Sequence, residues 1–143
     1  VTDLYAERCL AAGKPSRMEE TPFFRFVYVS EDERKAKSYP EEAITWVRDL
    51  STYRRTLKQG DEINVDLDYW KSVRTEHPPS YQSELVDNLY FGTPEQCVEK
   101  ISGLQKHHGI GYFGASFSFG TMEHSKVMQS MKLFADKVIP QFK

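Results

Sequence analysis

The stretch Phe23-Phe24-Arg25-Phe26-Val27-Tyr28-Val29, followed at once by Ser30-Glu31-Asp32-Glu33, decides the fold class. Aromatic and β-branched residues fill the run, which is the composition of a strand, and only Arg25 interrupts it. A strand apolar on both sides is what a parallel sheet covered by helices demands, because neither face meets water. Ser30-x-x-Glu33 reads as a capping box, with acids where a helix N-terminus favours them. Beyond it, Ala36, Tyr39, Ala43, Val47, Leu50 and Leu57 recur as one apolar stripe on a long helix, kinked or restarted at Pro40. Strand, tight turn and helix make one β/α unit.

Two further units follow. Asn88–Gly92 reads as a short strand, and Thr93-Pro94-Glu95-Gln96 as a complete helix start. Thr93 caps, Pro94 takes the first helical position and Gln96 closes a capping box. Cys97, Val98, Ile101 and Leu104 form its buried stripe; Lys106, His107 and His108 suit the negative helix end, and Gly109 terminates it. Ile110 to Phe119 reads as the next strand. Its odd positions 113, 115, 117 and 119 are Phe, Ala, Phe and Phe, a side that packs on helices. Its even positions 114, 116 and 118 are Gly, Ser and Ser, a side suited to a barrel interior or a ligand. A last helix, Glu123 to Val138, carries Val127, Met128, Met131, Phe134, Ala135 and Val138 and stops at Pro140.

Upstream, Asp3 to Ala12 reads as the end of a helix, with Leu4, Ala6, Cys9 and Leu10 at helical spacing and Gly13 and Pro15 as the stop. Residues 58–87 show no sustained period. A connection of ~30 residues is usually functional or disordered, and its aromatics Tyr69, Trp70 and Tyr81 argue against disorder. It reads as a lid or insertion with a short helix around Tyr69 to Arg74. One leading helix and three strand–helix units make an α/β fold with a parallel sheet in a single domain, residues 1–143.

Composition narrows the function classes. With 39% hydrophobic and 13% aromatic residues the chain can build a core, while no apolar run approaches the ~20 residues of a membrane span. A net charge of -2 gives no reason to expect nucleic acid. The basic cluster Arg54-Arg55-Lys58 runs straight into Asp61, Glu62, Asp66 and Asp68, the pattern of a solvated surface. No secretory signal is visible in Val1-Thr2-Asp3-Leu4-Tyr5, and Cys9 and Cys97, far apart and each on an apolar helix side, read as buried thiols of a cytoplasmic protein. The chain begins at Val1 rather than Met, which reads as processing, cutting or a missing start.

Phe91-Gly92-Thr93-Pro94-Glu95-Gln96-Cys97 and Ser130-Met131-Lys132-Leu133-Phe134-Ala135-Asp136-Lys137-Val138-Ile139-Pro140, in that order and at this spacing, resemble the bacterial luciferase-like flavin-dependent monooxygenases. Gly109 and Phe117-Ser118-Phe119-Gly120 between them match as well. The resemblance is strong from about residue 88 onward and looser around 23–29. It implies the C-terminal portion of a (β/α)8 TIM barrel, incomplete because such a barrel needs ~250 residues. It further implies reduced FMN at the C-terminal strand ends, O₂ and a small organic substrate, and a flavin reductase as the FMNH₂ source. The same resemblance implies that an N-terminal half-barrel, or a homo-oligomer, completes the site, and that this portion is inactive by itself. A deazaflavin-dependent dehydrogenase of the same superfamily, and a non-catalytic remnant serving as an oligomerisation module, are the alternatives.

Site residues follow from that resemblance. Trp46 stands near a flavin-cleft tryptophan of some family members, but beside Ala43 and Val47 it reads as core. Ser116 and Ser118 lie on the small side of the last strand, Ser118 nearer its C-terminal end, where it is a candidate for touching flavin or substrate. Trp70 is the lid candidate, with loop packing as its plainer reading. No catalytic residue is identified. His107 and His108 point different ways on a helix and read as helix-end charge rather than a metal pair. His77 and His124 have no evident partner, and Glu41-Glu42 is first-turn helix charge. No phosphate-binding glycine loop is present.

Overall fold

The structure, a computed structural model, describes residues 2–57, 80–82, 85 and 88–142. Among these, α1 (Thr2–Ala11) precedes β1 (Pro22–Val29), α2 (Glu33–Ser38) and α3 (Glu41–Leu57). Then follow β2 (Tyr90–Gly92), α4 (Pro94–His108), β3 (Tyr112–Ser116) and α5 (His124–Lys137). Short 3-10 turns stand before β1 and after α5.

All strand pairing is parallel, as the uninterrupted apolar character of β1 requires. The strand order is β2-β1-β3. Three consecutive barrel staves would place β2 in the middle; here β1 is central. The reason is local. β2 has three residues and pairs only with the end of β1, Val27↔Tyr90 to Val29↔Gly92. β3 pairs along the other edge with the beginning of β1, Pro22↔Tyr112 to Phe26↔Ser116.

The second half of β1, Val27 to Val29, is covered on both faces. Val27 and Val29, with Tyr90, pack with Cys97 and Ile101 of α4 and with Phe134 and the adjoining Val138 of α5. Tyr28 and Phe91 pack on the opposite face with Ala43 and Ile44 of α3 and with Tyr81, Leu85 and Leu89. Tyr81 and Leu85, read from sequence as part of an excursion, thus belong to the core. Lys100 holds this segment in place by donating from Nζ to the Leu85 and Leu89 carbonyls, and the Tyr81 hydroxyl donates to the Lys37 carbonyl.

β3 ends three residues before Phe117-Ser118-Phe119 was expected to finish it. Phe113, Ala115 and Phe117 do pack toward α4 and α5. Once the strand has stopped, alternation no longer holds, and Phe119 turns to the α3 side, stacked on Phe91 at 5.5 Å. Val29 then lies beyond the reach of β3 pairing, and the hydroxyl of Ser130 on α5 accepts from its N–H at 2.8 Å. Ser130 is 1% exposed. A buried amide needs such a partner, since leaving it unpaired costs free energy.

Helix boundaries follow capping chemistry. The chain restarts at the buried Pro40, separating α2 from α3. The cap of α2 is Asp32, whose carboxylate accepts from the Lys35 amide, rather than Ser30, whose hydroxyl accepts from the Asp32 amide. Thr93 and Gln96 form the reciprocal capping box, and Gly109 closes α4 at a φ of 65°. The α5 stripe differs from the sequence reading: Val127, Ser130 and Phe134 are buried, whereas Met128, Met131 and Ala135 face solvent. The apolar side chains Leu4 and Leu10 of α1 are likewise exposed and Cys9 is partly so, while Cys97 is buried. Neither cysteine is in a disulfide. No helix among the described residues is long and apolar enough to cross a membrane.

Candidate functional site

In open parallel sheets, ligands favour the crevice beyond the C-terminal strand ends. Here that end carries acids, each of Glu31, Asp32 and Glu33 paired with a lysine. Asp32 and Thr93 cap their own helices, and Glu33 accepts from the Gln96 amide group at 2.9 Å and from Lys37. Glu31 pairs with Lys137 at 2.6 Å. Backbone amide donation holds the carboxyls of Asp32 and Glu95 below their ordinary values, and Lys37 with Gln96 does the same for Glu33. These acids are ionised at neutral pH and occupy the donors that a phosphate would use. Among the described residues, this end does not fit the phosphate of FMN.

Above the sheet, the α3 side of that end is filled with rings. Tyr28 stacks on Tyr39 at 5.4 Å, and Phe119 touches both Phe26, at 5.0 Å, and Phe91. The loop after β3 closes over them at Gly120, where φ is 56° and an added Cβ would stand 2.3 Å from the Ala43 carbonyl oxygen. Desolvation raises the Tyr28 and Tyr81 hydroxyl pKa values, so both stay protonated.

The larger open space lies lower on the same face, beside the first half of β1. It is a cavity of about 560 Å³, within the range of small-molecule sites. Phe24, Phe26, Ile44, Val47 and Leu89 form its apolar wall. Arg25, Arg48, Ser51, Asn88 and Ser116 supply polar groups. Gly114 leaves room here for the Phe24 ring, whose nearest carbon would be 2.3 Å from a Cβ at that position. Phe24 itself is 69% exposed. On the other side of the sheet, a smaller cavity of about 270 Å³ lies between α4, α5 and the last turn. Its lining side chains are apolar apart from Gln105, and backbone groups supply further polar surface.

Of the residues expected from sequence, Ser116 lines the larger cavity. Ser118 does not; it follows the end of β3 and is exposed. Trp46 is 50% exposed, so the core reading fails for it, and it does not join its helix neighbours Ile44, Val47 and Arg48 at the cavity. Trp70 and His77 lie outside the described residues, as does most of the segment 58–87. His107 and His108 end α4 as expected, His108 with its Nδ1 3.9 Å from an Asp3 carboxylate oxygen. Among the described residues no His, Cys, Asp and Glu group could hold a metal ion. Sequence reading missed Phe24, Arg25 and Arg48 as cavity residues; Arg25, the lone charge in an apolar strand, was the available signal.

A scan against protein-family models finds no match, and a search of curated proteins finds no significant one. Among solved structures, the chain is similar to the crystal structure of the monooxygenase RslO1 from Streptomyces bottropensis, with 18% identity and a TM-score of 0.58. The likeness covers 99% of this chain and 37% of that one, so the chain spans well under half of the neighbour's length and shares its fold over that part.

Proposed function

We propose that this chain is part of a monooxygenase of the luciferase-like, flavin-dependent kind, and that it forms the substrate-side wall of the site. The observation that carries the reading is the fold likeness to a monooxygenase over 99% of the chain. The Gly-Thr-Pro-Glu helix start and the Ser130–Pro140 ending support it independently. In a barrel of this kind, β1 and β3 are the pair suited to neighbouring staves, being adjacent and parallel, with β2 a short strand beside the first. Reduced FMN would supply the oxygen-activating chemistry. Its phosphate contacts lie outside the residues described, given the acids at the strand ends. What this chain contributes is a partly apolar cavity that removes a small organic molecule from water and orients it through Ser51, Asn88 and Ser116.

An oxygen electrode separates this reading from a deazaflavin-dependent dehydrogenase. With excess reduced FMN, substrate-dependent O₂ uptake above flavin autoxidation is expected; anaerobic substrate oxidation with a deazaflavin would replace the reading. One observation favours the oligomerisation alternative. Among the described residues the outer edge of β3 has no strand partner, and Tyr112–Ser116 carries no charge to discourage pairing. A chain that stays monomeric at high concentration in light scattering removes that alternative.

A further inference from the structure

We propose that the 270 Å³ cavity between α4, α5 and the last turn binds a small uncharged aromatic molecule, a phenol of one ring, with its hydroxyl at Gln105. The site is independent of the oxygenase reading, because it lies at the other end of the sheet. Ile110 and Gly111 line it and immediately precede β3, which runs parallel to β1, so the cavity sits where that strand begins.

The wall continues the core. Ile101 and Phe134 belong to the cluster that covers the Val27 and Val29 side of β1, and both also line the cavity. Leu104 and Phe113 pack against that cluster and line it as well. Protein cores leave few voids larger than a water molecule. This one is far larger, and an apolar cavity of roughly 150 Å³ is enough to take up benzene. On its open side Ile139 and Phe142 leave 44% and 39% of their surfaces exposed. A ring seated against them removes apolar surface of both partners from water, which is the driving force for binding.

Charge and polarity narrow the class. The stretches that form the walls, 101–113 and 134–142, are described throughout, and no charged residue from them lines the cavity. An ion would leave water there without a counter-charge, so the wall favours a neutral molecule. Phe113, Phe134 and Phe142 suit a flat ring in offset or edge contact. The Gln105 amide offers a donor and an acceptor, and Gly111, having no side chain, meets the cavity with its backbone alone. One hydroxyl on the ring matches that small polar share.

The test is a titration of the intact chain, labelled with ¹³C-methyl isoleucine, with phenol, followed by methyl NMR without flavin or reductant. Ile101, Ile110 and Ile139 line this cavity and Ile44 lines the larger one, so the methyl shifts report which of them is filled. Saturating ring-current shifts at the first three are expected, with Ile44 unmoved. Benzene should shift the same methyls, and benzoate should bind about tenfold or more weakly than phenol. Gln105→Leu, at an exposed position, should weaken phenol about fivefold and leave benzene within about twofold. Should that variant fail to fold, Phe142→Ala at the exposed rim keeps the test open: it should weaken both several-fold. The proposal is overturned by shifts at Ile44 alone, by no saturation up to about 10 mM, by benzoate binding as tightly as phenol, by Gln105→Leu acting on phenol and benzene alike, or by no effect of Phe142→Ala. None of these outcomes bears on the oxygenase reading, which uses the other cavity.

Discussion

Replacing Ser130 by alanine should destabilise the protein more than its small size suggests. The Ser130 hydroxyl is the acceptor that the structure gives to the Val29 amide, at 2.8 Å. β3 pairing has ended at Phe26↔Ser116, so no strand carbonyl of β3 can replace it. Water is an equally poor substitute, because Val29 is 3% and Ser130 1% exposed. Alanine therefore removes one partner and leaves a buried N–H unpaired, at a cost of about 1–3 kcal/mol. For a domain of this size that corresponds to a fall in Tm of roughly 3–9 °C. Urea unfolding followed by circular dichroism measures the loss, and deuterium exchange at the Val29 amide localises it. Ser125→Ala is the control, since Ser125 lies on the same helix but is exposed, and its replacement should stay within about 0.5 kcal/mol. A loss below about 0.5 kcal/mol for Ser130→Ala, with Val29 protection unchanged, would refute the reasoning.

Three other perturbations separate backbone from side-chain constraint. Gly111→Ala and Gly120→Ala should each cost more than about 1 kcal/mol in urea unfolding, because the new Cβ would meet the Glu19 and Ala43 carbonyl oxygens at 2.1 and 2.3 Å. Gly114→Ala should cost less than either, since its obstacle is the exposed Phe24 ring, which can swing away; equal costs at all three would contradict this. Trp46→Ala should cost about 1 kcal/mol or less, whereas a core tryptophan would cost roughly 3–5 kcal/mol; its 50% exposure decides between them. Burial pushes the Cys97 thiol up to about 12, so in native protein near neutral pH alkylating reagents should modify Cys9 and spare Cys97, as read by peptide mass. The same burial makes stability depend on alkaline pH. The folded thiol holds its proton more tightly than the unfolded one at 9.0, so its contribution is complete below pH 9 and is lost as pH rises toward about 12. A urea midpoint that holds constant over that interval would contradict it.

Local chemistry made much of the fold legible. β1 announces itself because both its faces are apolar, and that character alone requires helices on each side. Thr93, Pro94, Gln96 and Gly109 fixed α4 because caps act over four residues, within reach of sequence reading. The strand order was not legible. It depends on β2 being three residues long and on which edge of β1 each later strand finds, and neither is written in residue types. The same limit applies to Ser118 and Phe119: alternation places a side chain only while the strand lasts, and β3 ends at Ser116. Ser130 entered the sequence reading only as the first residue of the closing motif, and its role appears only when β3 is seen to stop short of Val29. At the cavity, Arg25 read as a blemish in an apolar run. Phe24 and Arg48 carried no signal, because they meet across 24 residues of chain only when α3 lies over β1.

The most direct test of the oxygenase reading is isotopic. The longer monooxygenase that the reading makes this chain part of is exposed, with excess reduced FMN and a panel of small organic molecules, to ¹⁸O₂, and products are weighed by mass spectrometry. Each product should carry one ¹⁸O atom from O₂. Oxidised product without the label, or no labelled product from any member of the panel, would contradict it.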